Sequence, residues 1–395
     1  MLISLPLRIS LISIILIACS QSNPNTGFNS PETTTEFVNF SYNDFASRNI
    51  ILDDDLSPKE TLGKLLFFDT NLSEPSGQSC ASCHAPQSGF ADPDKMIPVS
   101  EGVIPDNFGM RNALSASYVK FIPSFDVGIT PADTIGGLFW DGRKIDLEDQ
   151  AKAPFLNPLE MNNPSFETVV NDVMAAMYAP LFLTVYGPTA FDDPAMTYEH
   201  IADAIAAFER SEELNEFSSK YDYYKRGLVT LSAEETLGLT LFTGKAHCDH
   251  CHKLNSIDNS LEHDLFTDFK YANIGLPRNL EFPYDLLPAE TIDMGLGAIT
   301  LIPEHNGKFK TPHLRNIEET GPYMHNGLFK NLEDVVRFYN TRDVPGMWPA
   351  PEVSDNMATG PIGSLGLTPD EEEAIVEFME TLTDGFKIPP PPANP

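Results

Sequence analysis

Apolar residues recur at helical spacing in short stretches of the chain, and polar capping residues mark where several of them begin. Ser57-Pro58-Lys59-Glu60-Thr61-Leu62-Gly63, followed by Leu66-Phe67, is echoed by Ser232-Ala233-Glu234-Glu235-Thr236-Leu237-Gly238, followed by Leu241-Phe242. In each copy a Ser hydroxyl can accept an otherwise orphaned backbone N–H while the Glu three residues on reaches back, so each copy predicts a capped, short amphipathic helix. Tyr198 to Lys220 carries Ile201, Ile205 and Phe208 at helical spacing, and Thr368-Pro369-Asp370-Glu371 caps a final helix through Ile375, Phe378 and Met379 to Leu382. A further helix is expected over Leu332 to Tyr339. The pattern is an internal repeat, with a helix near the start of each unit, a helix at its close, and long Pro- and Gly-rich loops between.

The N-terminus follows a different pattern. Leu2 to Ala18 is an apolar run with one positive charge, Arg8, too short and too close to the start for a confident membrane span. It reads as an export signal, residues 1–18, and Leu16-Ile17-Ala18-Cys19 resembles the lipobox of bacterial lipoproteins, in which the cysteine is lipidated. Ser20 resembles residues that permit outer-membrane sorting, so the expected location is the cell envelope, facing the periplasm from a lipid anchor on the outer membrane. Residues 19–44 then form a flexible tether, and the proline-rich tail 387–395 an extended end. The balance of 25 Lys and Arg against 57 Asp and Glu, a formal charge of −32 over 395 residues, excludes a nucleic-acid partner, because binding phosphate backbones requires basic side chains to displace counterions.

Once Cys19 is assigned to the anchor, the remaining cysteines fall into two pairs of identical spacing. Cys80-Ala81-Ser82-Cys83-His84 and Cys248-Asp249-His250-Cys251-His252 are both C-x-x-C-H, the attachment site of c-type haem. In that chemistry two thiols form thioethers with the porphyrin and the adjacent His becomes the proximal iron ligand. Zinc binding and disulfides are the alternatives, and the second match makes both distant. A helix before each haem site and one closing the unit is how small c-type cytochromes wrap their cofactor. The expected fold class is therefore mainly α: two cytochrome c-like helical domains, over 45–228 and 229–386, each with one covalently bound haem, joined across a central interface.

With these motifs in place, residues 55–385 resemble the bacterial di-haem cytochrome c peroxidases and their MauG-like branch. The resemblance is carried by Arg111-Asn112-Ala113-Leu114-Ser115, Phe139-Trp140-Asp141-Gly142-Arg143, Gln150, Glu160-Met161, Lys310-Thr311-Pro312-His313-Leu314-Arg315-Asn316, and Thr320-Gly321-Pro322-Tyr323-Met324-His325-Asn326-Gly327. It implies that the haem of Cys80, Cys83 and His84 is the peroxide site and that of Cys248, Cys251 and His252 the electron entry. It also implies that Glu160 is the general acid/base, Gln150 its hydrogen-bonding helper, and Trp140 the electron carrier between the haems. Asn112, Thr320 and Pro322 match positions that hold one Ca²⁺ between the domains, the last two through backbone oxygen. Family members are often homodimers.

Two departures bear on mechanism. No histidine lies between His84 and Trp140, the next being His200, so the first iron is expected to be open as isolated, with Met96 or Met110 as the side chains that could close it. Fourteen residues after His325, where ordinary members carry Met, stands Tyr339, as in MauG-like proteins; it is the expected distal ligand of the second iron, with Met347 or Met357 the alternatives. The leading functional expectation is reduction of hydrogen peroxide to water with electrons from a small donor such as cytochrome c or a cupredoxin. A MauG-like oxidation of residues on a partner protein through high-valent iron is the alternative, and a non-enzymatic electron carrier comes third.

Overall fold

Ser57 opens the first helix through the expected reciprocal cap: its hydroxyl accepts from Glu60 N–H at 3.3 Å, and its own N–H donates to Glu60 Oε2 at 2.7 Å. The computed structural model describes residues 55–254, 263–360 and 362–389. Cys19, the export signal, the tether and the tail beyond residue 389 lie outside the described residues. In chain order the helices are α1 (Pro58–Phe68), α2 (Cys80–Cys83), α3 (Leu147–Leu156), α4 (Phe166–Ala175), α5 (Ala179–Tyr186), α6 (Pro194–Glu209), α7 (Lys220–Lys225), α8 (Ala233–Thr243), α9 (Leu296–Thr300), α10 (Leu332–Thr341) and α11 (Pro369–Glu380). A two-residue antiparallel pair, Tyr271–Ala272 with Phe309–Lys310, is the sheet content among the described residues.

The repeat in sequence becomes a repeat in packing. Helix α1 lies against α6, and α8 lies against α11. At each crossing stands a glycine: a Cβ on Gly63 would strike the Ala204 carbonyl and Phe208, and a Cβ on Gly238 would strike the Ala374 carbonyl and Phe378. The glycines let the two backbones touch, which is why the Thr-Leu-Gly triplet occurs in both copies. Around the crossings the buried residues form separate cores, one from Leu62 to Leu214 that includes Phe67, Val169, Phe182, Ile201 and Phe208, the other from Tyr221 to Leu382 that includes Phe242, Phe266, Phe338 and Phe378. Both cores lie in one compact unit.

The closing helix of the first half differs from the sequence expectation. It starts four residues earlier, where Asp193 accepts from Ala195 and Met196 N–H, and it ends at Glu209 instead of running to Lys220. The side-chain amide of Asn215 donates to the carbonyls of Glu209 and Ser211 at 3.0 and 2.7 Å, satisfying groups that a continuing helix would have bonded internally. Similarly α11 stops at Glu380, with Leu382 just beyond it in the core.

Loops tie the halves together. Lys310 N–H donates to the Trp140 carbonyl (2.9 Å), its Nζ donates to the Gly137 carbonyl (2.7 Å), and Tyr271 hydroxyl donates to the Gly136 carbonyl (2.6 Å). Arg111 bridges Asp141 of the first half and Asp293 of the second at 2.6–2.8 Å. These bonds seal the wall of the cavity described next.

Candidate functional site

A cavity of about 550 Å³ is lined by Cys80, Cys83 and His84, by Trp140, Gln150 and Glu160, and by residues of the second half, including Lys310, His313 and His325. Local structure explains how the attachment residues are presented. Cys80 opens the single-turn helix α2, and His84 follows it with its N–H bonded to the Cys80 carbonyl at 2.9 Å. The His84 ring engages the Phe90 carbonyl through Nδ1 at 3.2 Å. In the second half His252 N–H bonds the Cys248 carbonyl at 2.9 Å, and its Nδ1 meets the Phe266 carbonyl at 2.8 Å. A histidine that gives Nδ1–H to a main-chain carbonyl is fixed in the tautomer that leaves Nε2 for a metal, the usual arrangement behind an iron or zinc ligand.

All four cysteines described are free thiols. Burial pushes the Cys83 thiol up to about 12, with the Asp92 carboxylate adding to the shift, and burial raises Cys80 further still. Both sulfurs are therefore protonated thiols near neutral pH. The donor set fits c-type haem at both motifs: two neutral thiols and one tautomer-locked imidazole in each.

The acid/base candidates reach the cavity by helix periodicity. Leu147, Gln150, Ala151 and Pro154 of α3 line it at i, i+3, i+4 and i+7, one face of one helix. Asn157 caps the end of α3, and the following turn carries Leu159, Glu160 and Met161 onto the same wall. The ten- and twenty-residue intervals from Trp140 to Gln150 and Glu160 thus converge on one space. Burial raises the Glu160 carboxyl above the ordinary carboxylate range, while an Asn157 hydrogen bond and the Arg143 charge pull it back. Arg143 is itself held on Asp141 at 2.9 Å and lies 3.7 Å above the Phe139 ring.

Trp140 is 9% exposed and donates its indole N–H to the Asn112 carbonyl at 2.9 Å. The N–H of Asn112 donates to the His325 carbonyl at 2.8 Å, and the His325 ring meets Trp140 edge-on at 6.3 Å while stacking on Phe309 at 3.5 Å. Trp140 therefore sits at the seam between the halves. Of the side chains that could close the first iron, Met110 is on the cavity wall, whereas Met96 is 82% exposed and is not. His200 stacks on Tyr186 at 4.2 Å and does not line the cavity.

No histidine stands between His84 and Trp140 in the chain, but two arrive at the cavity from the other half. His313 and His325 both line the cavity, and each has a buried ring nitrogen without a hydrogen-bond partner, Nδ1 of His313 and Nε2 of His325. Burial lowers them to about 4 and about 3, so both are neutral. Glu209, at the end of α6, is a second buried carboxyl on the wall that the sequence reading passed over. No sequence signal marks these residues as cavity-facing, since the walls they join are built from distant segments.

In the second half Tyr339 lies on α10 with its hydroxyl near Cys251 and Cys248; burial, then those thiols, raise it above the ordinary phenol value. Met347 is 48% exposed, and Met357 packs beside Gly275. Asn112, its side-chain amide on the Pro98 carbonyl at 3.3 Å, is buried, as is Pro322, and Thr320 is half-buried. No group of three His, Cys, Asp or Glu side chains converges among the described residues.

Comparison with known proteins gives a consistent picture. The family model for di-haem cytochrome c peroxidase matches residues 57–230. The methylamine utilization protein MauG of Paracoccus denitrificans (strain Pd 1222) is 37% identical over 343 residues, covering 82% of this chain and 88% of that protein. Cytochrome-c peroxidase IdrP1 of Denitromonas iodatirespirans is 31% identical, covering 82% and 81% respectively. The crystal structure of the diheme peroxidase BthA from Burkholderia thailandensis E264 superposes with a TM-score of 0.74 at 32% identity, covering 86% of this chain and 89% of that one.

Proposed function

The chain belongs to the MauG-like di-haem cytochrome c peroxidase family, and we propose that it reduces hydrogen peroxide to water with electrons from a small redox protein such as cytochrome c. As an oxidoreductase of that family it acts on peroxide. The observation that carries the reading is the convergence of Gln150 and Glu160 on the cavity that also presents Cys80, Cys83 and His84. In the net reaction one peroxide, two electrons and two protons give two waters. When bound, the haem supplies an iron that accepts peroxide and passes it electrons.

The protein's own residues do the rest. Glu160, as carboxylate, takes the proton from the peroxide oxygen nearer His84 and returns it to the departing oxygen, so that water leaves instead of hydroxide. Gln150 donates a hydrogen bond that fixes the peroxide within reach of Glu160. Apolar walls from Phe67, Val119, Ile122, Leu138 and Leu147 keep bulk water from competing for that proton. Trp140 links the halves for the arriving electrons, and the docking of the donor is favoured by the formal charge of −32 if that donor is basic.

Further assignments belong to the same reading. Tyr339 would hold the second haem's iron through its phenol oxygen, supported by its place beside Cys248 and Cys251 and by the exposure of Met347. Neither cavity histidine would be needed to hold the first haem, since His325 is held between Phe309 and Trp140, and His313 lies edge-on to Tyr118 at 5.7 Å. Asn112 with the main-chain oxygens of Thr320 and Pro322 holds a Ca²⁺. The protein faces the periplasm. A second reading, oxidation of residues on a partner protein, draws support from the 37% identity to a MauG and from Tyr339.

The test mixes the oxidised holoprotein with one equivalent of peroxide in a stopped-flow spectrometer, then adds reduced cytochrome c. Immediate reaction followed by rapid oxidation of the cytochrome is the expected result. An oxidised state that persists in the presence of the cytochrome favours the partner-oxidation reading. No reaction until an electron is added overturns the open first iron.

A further inference from the structure

The cavity that receives Gln150 and Glu160 contains a carboxyl for which the peroxide chemistry has no use. Glu209 closes α6 on the cavity wall, is 6% exposed, and its Oε2 has no hydrogen-bond partner. Its backbone is well anchored, the carbonyl accepting from Asn215 at 3.0 Å, so the acid is held in place without being neutralised by a cation of its own. A buried carboxyl in that condition carries a large desolvation penalty when charged.

The surrounding charges relieve it only in part. Arg210 follows it in the chain and favours the carboxylate, but that guanidinium is paired to Glu148 of α3 by hydrogen bonds of 2.6 and 2.8 Å, and Glu148 offsets part of its field at Glu209. From α1, Lys59 is engaged by Asp203 and Lys64 by Glu213, each at 2.7 Å. Lys120, in the turn at residues 119–121, donates from Nζ to the Arg210 carbonyl at 3.5 Å and feels the charges of Glu212 and Glu60. The acids of α4, Glu167 and Asp172, respond to Ser165 and to Glu74 and Asp69. Glu209 acts on Cys80, where its effect exceeds that of Glu160, and on Arg210. As a thioether Cys80 carries no charge. The nearest acid to the His84 ring is Asp92, so Glu209 is separate from the iron ligand.

We propose that Glu209 is the charge-compensating group of the N-terminal haem cavity, taking up one proton when the haem there is reduced and releasing it when the haem is oxidised. The proposal rests on the reading that Cys80, Cys83 and His84 carry a haem. One electron arrives from the donor and takes the iron from ferric to ferrous, while one proton passes from solvent to the Glu209 carboxylate and makes a neutral acid. Oxidation reverses both. The ferric haem has a net positive charge that favours a nearby carboxylate across a medium of low dielectric; reduction removes that charge and leaves a buried anion without compensation. Burial, opposed by the Arg210 charge, pushes the Glu209 carboxyl up to about 8, which puts the exchange within reach of neutral pH. Because the reduced state holds the proton more tightly, the midpoint potential of this haem falls as pH rises toward about 8 and levels off above it.

The experiment is a spectroelectrochemical titration of the holoprotein from about pH 6 to about pH 9, a span that brackets the Glu209 carboxyl and also the Lys310 amine on the same cavity wall, which burial lowers to about 7. Haem content is measured first on the same preparation. The wild-type protein is expected to show the falling potential, and Glu209→Gln a pH-independent one that lies above the wild-type value at pH 8. Glu160→Gln is expected to lose peroxide turnover and keep the slope. A slope that survives in Glu209→Gln with both haems bound overturns the proposal and assigns the proton to another group of the cavity, Lys310 among them. A flat wild-type potential overturns it without any variant, which covers a Glu209→Gln protein that does not fold. A preparation without haem at Cys80 and Cys83 refutes the haem reading itself.

Discussion

The two haem-attachment regions share a frame and differ in what faces it. In each, a Ser/Glu-capped helix crosses a closing helix at a glycine, and a C-x-x-C-H turn presents a histidine whose Nδ1 is locked on a phenylalanine carbonyl. Opposite the first frame stand Gln150, Glu160 and Glu209, with two neutral histidines nearby. The second has Tyr339 beside its cysteines, in a core dominated by Phe242, Phe266, Phe338 and Phe378. The duplicated frame presents the two C-x-x-C-H turns alike, and the unduplicated residues make their surroundings differ. A region lined with buried acids offers proton carriers; the other offers aromatic side chains and a single phenol.

The comparison breaks most sharply at Glu160. Replacing it with Gln should lower the rate of reaction with peroxide by about 10²–10⁴-fold, read by stopped-flow, while haem content and the spectrum of the second haem stay unchanged. An equal loss in a variant of the second region, such as Tyr339→Phe, would mean that the regions do not divide the labour.

Next in size is a perturbation confined to the second region. Arg315 is fully buried and paired to Asp222 through two bonds of 2.7 Å, and Asp222→Asn should destabilise the protein by about 3–5 kcal/mol, measured by chemical denaturation. Burial works to raise the Asp222 carboxyl, but the Arg315 pairing prevails and holds it below its usual value. Its stabilisation is thus complete above the ordinary carboxylate pKa and is lost as pH falls through the depressed one. Glu160 and Glu209 behave in the opposite sense, since their raised carboxyls favour the folded state as pH falls toward the ordinary carboxylate value. Acid titration followed at residues of each half should show the second weakening first.

The shared frame can be tested symmetrically. Gly63→Ala and Gly238→Ala each force a Cβ into a facing carbonyl, so each should cost about 1–3 kcal/mol, and thermal melts should show the two losses to be similar. The smallest expected effects concern pH and spectrum. The peroxide reaction of the wild-type protein should rise with pH through a pKa above the usual carboxylate range, because the working form of Glu160 is the carboxylate, and Glu160→Gln should lack that limb. Tyr339→Met should alter the absorption of the second haem alone and raise its potential, as thioether replaces phenolate.

Much of this was legible in the chain because its signals are local. Ser57 with Glu60 and Ser232 with Glu235 announce helix starts, since a cap and its partner lie within one turn. The C-x-x-C-H spacing announces haem, since the thiols and imidazole need only a single turn of backbone to come together. The length of the closing helix was misjudged because Asn215, which ends it, acts from six residues beyond Glu209 through a side-chain bond that no periodicity reports. Gln150 and Glu160 were found only through the resemblance, and the fold supplies their reason: one face of α3 and the turn after it form a single wall. His313, His325 and Glu209 were invisible as cavity residues. The sequence by itself determined helices, caps and attachment sites, which depend on neighbours a few residues apart. Only the tertiary structure decided which acids and histidines share the haem cavity, because its walls are assembled from both halves of the chain, and burial there gives those side chains charge states that no local pattern encodes.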